Sequence, residues 1–274
     1  MSSPTALPTL RKHQAFQSSH LEHDRDVVVF LPPGYDAEQR FPVLYMHDGQ
    51  NLFEPDKAFV KGEHWRVGET ITELVEAGTI EPLIVVGIYN TGLQRINEYT
   101  PTHDRRGGGL AGAYGRFIVE ELKPFIDTTY RTLTSAAATG LGGSSLGGLA
   151  SLYLGLTHPL TFGKIAALSP SVWWDRRAIL RDVRRFASGH ATETAHVPRP
   201  RIWLDMGTRE SSGAGSSRRV IDDARLLKVG LVKAGWIEDV DLHYEEVEGA
   251  THSERAWGDR FGRVLEWLFA AQVR

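Results

Sequence analysis

Residues 136–156 read AAATGLGGSSLGGLASLYLGL, and this stretch decides the architecture. The start, 136–141, is small and apolar, as a strand covered on both faces would be. The end, 147–156, has helical spacing. Between them lies Gly143-Ser144-Ser145-Leu146-Gly147, a G-x-S-x-G pattern centred on Ser145. A strand–turn–helix setting is the context in which this pattern lifts a serine hydroxyl above a sheet edge. The turn is sharp and strained, so the positions two residues either side must be small. The hydroxyl then sits at the positive end of the following helix. Ser144 has Leu146 where the frame needs glycine, which makes it a poor rival. The plain alternative is a glycine-rich turn whose serine only caps a helix.

The same alternation continues in both directions. Upstream, DVVVFL (26–31), halted by Pro32-Pro33-Gly34, PVLYM (42–46) and LIVVGI (83–88) predict strands. A helix is expected over 66–77, with Val67, Ile71, Leu74 and Val75 on one face. Another is expected over 112–123, ending at Pro124. Downstream, IAALS, RIWLDMG and VDLHYEEV predict strands. RAILRDVRRFA, RRVIDDARLLKVGLVKAG and ERAWGDRFGRVLEWLFAA predict helices. Such alternation means an α/β protein with a mostly parallel central sheet and helices on both faces. No repeat or linker divides the chain, so a single domain is expected over 1–274, with about 1–11 as a loose N-terminal arm.

Composition narrows the function. The 274 residues carry a formal charge of −3, with no basic excess to suggest nucleic acid. There is no cysteine, which excludes disulfides, thiolate metal sites and cysteine nucleophiles. Metalloprotease-type histidine motifs are absent, so neither metal nor cofactor is expected. The N-terminus lacks an apolar run of signal-peptide length, and no stretch is apolar over about 18 residues. The expectation is a cytoplasmic protein with no membrane segment.

A serine hydroxyl is a weak nucleophile and needs a base. In a sheet of this kind the chain order is serine, then acid, then histidine. Of the 11 histidines, His252 in EGATHSERAW alone lies between the last expected strand and the last helix. The acid belongs after RIWLDMG. Glu210 is favoured because the chain has left the sheet there, and Asp205, still within the strand run, is the alternative. The tetrahedral oxyanion needs two donors. One is the amide of Leu146. The other comes from the loop His47-Asp48-Gly49-Gln50-Asn51, through Gly49 or Gln50. Trp173 and Trp174, in SPSVWWD, follow a strand at the ligand-binding edge. One is expected to pack beneath the site and the other to line it, with Arg95, Glu98 and Tyr99 as the facing wall.

Seven segments carry a family resemblance: FLPPGYD, PVLYMHDGQNLF, GIYNTGLQRINEYTP, ELKPFIDTTYRT, GGSSLGGLASLYLGLTHPLTFGKIAALSPSVWW, LDMGTRE and GATHSERAW. Together they resemble the putative-esterase family, which includes enterochelin esterases, S-formylglutathione hydrolases and carbohydrate esterases. The resemblance spans roughly 12–270. It implies an α/β-hydrolase fold with a Ser–acid–His triad of Ser145, Glu210 and His252, and no metal. One departure is the oxyanion loop, His47-Asp48-Gly49, where many hydrolases have His-Gly. The expected activity is hydrolysis of carboxylic esters through an acyl-enzyme. Acetyl or feruloyl carbohydrate esters and siderophore-type esters are the candidate substrates. An acyltransferase using the same triad, or a non-catalytic binding protein on the same fold, are the alternatives.

Overall fold

A computed structural model describes residues 8–35, 38–189, 198–211 and 213–271. Its centre is an eight-stranded sheet. In chain order the strands are β1 (Thr9–Phe16), β2 (Arg25–Leu31), β3 (Val43–His47), β4 (Ile84–Ile88), β5 (Thr139–Ser144), β6 (Lys164–Leu168), β7 (Arg201–Arg209) and β8 (Leu242–Thr251). Their spatial order is β1-β2-β4-β3-β5-β6-β7-β8. β2 is antiparallel to both β1 and β4, and every other neighbouring pair is parallel. This is the α/β-hydrolase arrangement. All the parallel strands end along one edge, where the loops carrying chemistry gather.

Period-two alternation divides the core. Val27, Val29, Tyr45 and Val86 face one layer, and Phe30, Leu44, Met46 and Val85 face the other. On the second side lie helices α1 (Val67–Glu76) and α6 (Glu254–Phe269). On the first lie α2 (residues 111–129), α3 (Leu146–Thr157), α4 (Ile179–Ala187) and α5 (Ala214–Lys233). α3 is buried along nearly its whole length, which is why its sequence is apolar all round and not amphipathic.

Two expectations are corrected. Thr9, Leu10 and Arg11 are not part of a loose arm, because they open β1; residues 1–7 lie outside the described residues. β1 is an edge strand with mostly exposed side chains, so its sequence carries no apolar alternation. Backbone pairing to β2 and contacts of His13 and Phe16 with Phe125 hold it. The second correction concerns Pro124. α2 runs in three joined segments, Ala111–Arg116, Phe117–Leu122 and Lys123–Thr129, and does not stop at the proline. The middle segment is π-wound, with the Lys123 amide donating to the Ile118 carbonyl. The wider turn just before the proline accommodates a residue that has no N–H and would otherwise crowd the carbonyl four residues back.

Candidate active site

β5 ends at Ser144 and α3 begins at Leu146, so Ser145 makes the whole turn alone. Its φ is 56° and its ψ −122°, an unfavoured region for a residue with a side chain. Strain of this type costs on the order of 1–3 kcal/mol and persists only where the surroundings impose it. Here they do. The Ser145 amide donates to Leu168 O (3.0 Å), and its carbonyl accepts from the amides of Leu149 (3.1 Å) and Ser171 (2.9 Å). A Cβ at Gly143 or Gly147 would come within 3.1–3.2 Å of the His47 side chain, which explains both glycines of the motif. Ser144 is buried at the strand end.

His252 directly follows β8 and precedes Ser253, which caps α6. Its Nε2 lies 2.9 Å from Ser145 Oγ. Its Nδ1 hydrogen-bonds Glu210 Oε2. A carboxylate only accepts, so Nδ1 carries the proton and Nε2 is left as the acceptor for the serine. Glu210 is the first residue after β7, and its side chain is 3% exposed. Its Oε1 accepts from the Gly207 amide (2.7 Å) and the Ser169 hydroxyl (2.6 Å). Burial pushes the Glu210 carboxyl up, but the bonds from His252, Ser169 and Gly207 outweigh it and hold the group below its ordinary value.

Asp205, the alternative acid, is placed elsewhere. It is fully buried within β7 and pairs with Arg260 (2.7 and 3.1 Å), while the Trp203 indole donates to it (2.8 Å). Its oxygens are taken by Arg260, Trp203 and the Ser169 amide, and among the described residues no bond runs from it to His252.

The Leu146 amide opens α3 and has no partner within the helix. Gly49 and Gln50 begin a 3-10 turn, Gly49–Asn51, entered through Asp48 at φ 56°. Gly49 is pressed on β4: a Cβ there would lie 2.5 Å from Gly87 C. The same turn reaches the one that carries Ser145, since a Cβ on Gly147 would stand 3.5 Å from Asp48 Oδ2. Asp48 is held by Arg95 through two bonds (2.8 and 2.7 Å) and by Asn90 Nδ2 (2.7 Å), and its amide donates to Tyr99 Oη (3.1 Å). Burial pushes the Asp48 carboxyl up, yet Arg95 and Asn90 bring it below its usual range.

The expected facing wall is therefore largely absent. Glu98 is buried in a two-bond pair with Arg25 (2.9 and 2.9 Å), and Tyr99 is fully buried against His47 and Tyr114. Both are spent on structure because the short helix Arg95–Glu98 packs inward, a turn that polar loop sequence did not betray. Arg95 faces Asp48 first. Trp174 is buried, its indole donating to Thr102 O (3.0 Å), whereas Trp173 is 38% exposed.

Trp173 lies in a cleft of about 660 Å³ with Asp104, Arg105, Arg106, Asp175 and Arg176. Arg106 lies over its ring at 4.8 Å. Asp175, Arg176 and Arg177 are consecutively left-handed (φ 40°, 56° and 66°). A second cleft, of about 1010 Å³, opens beside His252 and Glu210 and is walled by Arg209, Arg218 and Arg225. Arg209 ends β7, and Arg218 and Arg225 lie on α5; none stands out in the sequence, because charged residues on exposed faces usually mark only solvent. Among the described residues no group of His, Asp or Glu is arranged to hold a metal, and no helix is long and apolar enough to cross a membrane.

The family model described as "Putative esterase" matches residues 18–268. The chain is similar to the uncharacterised protein YbbA of Bacillus subtilis, with 26% identity over 92% of this chain and 95% of that one. It is 38% identical over 112 residues to the siderophore enterobactin esterase of Emericella nidulans, covering 40% of this chain and 35% of that protein. Among solved structures it superposes on the siderophore hydrolase EstA of Aspergillus nidulans with a TM-score of 0.73 at 24% identity, covering 94% and 91% of the two chains. The chain belongs to the putative esterase family of α/β hydrolases. It is a carboxylic-ester hydrolase.

Proposed function

We propose that Ser145, His252 and Glu210 act as nucleophile, base and acid in ester hydrolysis. The observation that carries this reading is the 2.9 Å contact of Ser145 Oγ with His252 Nε2, with Glu210 on the opposite ring nitrogen. As Oγ bonds to the ester carbonyl carbon, its proton passes to Nε2. The oxyanion takes the Leu146 amide and an amide of Gly49 or Gln50. The imidazolium, stabilised by Glu210, returns the proton to the leaving alkoxide, giving an acyl-enzyme. Water, deprotonated by the same histidine, then attacks the acyl carbon, and as the acyl–Oγ bond breaks the imidazolium returns that proton to Ser145, releasing the acid. Ser145→Ala should lower kcat by about 10⁶. A fluorophosphonate should label Ser145 and leave Ser144 unmodified. Near-normal turnover in folded Ser145→Ala protein overturns the assignment.

For substrate we infer siderophore-type esters that carry a flat catechol ring near the scissile bond. Support comes from the Trp173 cleft: Arg106 covers one face of the half-exposed ring and pairs with Asp104 (2.9 Å), Arg105 and Arg176 stand beside it with Asp175, and the loop is held in strained backbone. The relatives named for siderophores point the same way. A neutral sugar acetate would offer Arg105 and Arg176 no anionic partner. The test compares kcat/KM for catechol-acyl esters with that for acetylated and feruloylated sugars. A preference for the sugar esters refutes the substrate class and leaves the triad untouched.

A further inference from the structure

The acid of the proposed triad rests on a hydroxyl that has no freedom to turn. Ser169 follows β6 directly, is buried, and has φ 41°, a strained value for serine. Its amide donates to both the carbonyl and Oδ1 of Asp205, at 3.1 Å each. Its Oγ has three neighbours: Trp257 Nε1 at 3.1 Å, Arg260 Nη2 at 2.7 Å and Glu210 Oε1 at 2.6 Å.

A serine hydroxyl has one proton and two lone pairs. Indole and guanidinium nitrogens can only donate. Trp257 and Arg260 therefore occupy both lone pairs, and the single proton is left for Glu210. We propose that Ser169 is a positioning residue for Glu210, its hydroxyl aimed at Oε1 because Trp257 and Arg260 leave it no other direction. The inference rests on Glu210 being the triad acid.

The rest of the cluster fixes the donors. Asp205 grips Arg260 through both oxygens, and Arg260 Nη1 donates to Ala256 O (2.9 Å). Arg260 and Asp205 are 2% and 0% exposed, so neither exchanges its partner for water. Trp257 meets the same site twice: its indole N–H reaches Ser169, and its ring meets His252 edge-on at 4.8 Å. Oε1 of Glu210 thus has two fixed donors, Ser169 and Gly207, which turn Oε2 toward His252. A buried arginine in the apolar stripe of α6, between Trp257 and Val264, is there to direct this hydroxyl.

The experiment measures kcat, KM and the pH profile of kcat/KM for Ser169→Ala, Trp257→Phe and Glu210→Gln in the full chain. A hydrogen bond to a charged group is among the stronger ones, so Ser169→Ala should lower kcat by about 10- to 100-fold with KM within about twofold. Its acid limb should move to higher pH, because a carboxylate with one donor fewer holds the imidazolium proton more tightly. Trp257→Phe keeps the ring but frees one lone pair. It should move the limb in the same direction by less, and it serves as the test if Ser169→Ala does not fold. A Ser169→Ala protein with lowered thermal stability but unchanged kcat and pH profile overturns the inference, as does an unmoved limb in Trp257→Phe. If instead Glu210→Gln retains full activity, the triad reading itself is wrong.

Discussion

Arg95→Met removes the two bonds that hold Asp48, and its consequences separate two readings of this arginine. Asp48 is 8% exposed and would keep only Asn90 as a side-chain donor. Removing one partner of a buried ion pair costs about 3–5 kcal/mol. Because the Arg95 side chain is 26% exposed, water relieves part of this, and about 2–3 kcal/mol is expected. In a chain of this size that corresponds to a fall in Tm of about 4–10 °C. The turn carrying the Gly49 and Gln50 amides would loosen. Losing an oxyanion donor outright costs about 10²–10³ in kcat, so a misplaced one should cost about 10- to 100-fold with little change in KM. The double variant Asp48→Asn/Arg95→Met removes the orphaned charge, so it should regain stability but not kcat. Calorimetry and steady-state kinetics on an activated aryl ester measure both quantities. If Arg95→Met keeps wild-type Tm and kcat and only raises KM, the arginine contacts substrate, as its place in the sequence suggested, and the clamp argument fails.

Glu210→Gln should fold normally and lose about 10⁴ in kcat, since the amide favours the wrong histidine tautomer. Asp205→Asn should lose about 3–5 kcal/mol of stability by leaving Arg260 buried without its counter-ion; equal stability of the two variants by urea unfolding would refute this division. Burial, reinforced by Arg95 and opposed by Asp48, pushes His47 down to about 4. Between about pH 6.5 and 4 the unfolded chain therefore binds a proton that the folded chain does not, and stability falls as pH drops through that window. The loss approaches about 3 kcal/mol; a His47→Gln variant with the same dependence between pH 7 and 4.5 would show that another group is responsible. Trp173→Ala should reduce the preference for aryl over octyl esters by up to about tenfold, whereas Trp174→Ala should chiefly lower Tm; an unchanged ratio in Trp173→Ala removes it from the site.

Sequence alone determined the order of strands and helices, because each buried element writes its period into neighbouring residues. It also marked Ser145, because the strained turn demands Gly143 and Gly147, and singled out His252 as the proposed base, because chain order leaves one loop for it. Helix continuity past Pro124 was not legible, since a π turn leaves no mark on the apolar pattern. Nor was β1, whose side chains face water while only its backbone pairs. What tertiary structure decided was every question of partnership. Asp205 and Glu210 are five residues apart and chemically alike, yet one neutralises Arg260 and the other meets His252. Arg95, Glu98 and Tyr99 read as a polar loop, and the fold turns them onto Asp48 and Arg25. Local periodicity comes from contacts within an element. A side chain's partner comes from whichever distant element packing brings beside it, and Arg260 reaches Ser169 from 91 residues away.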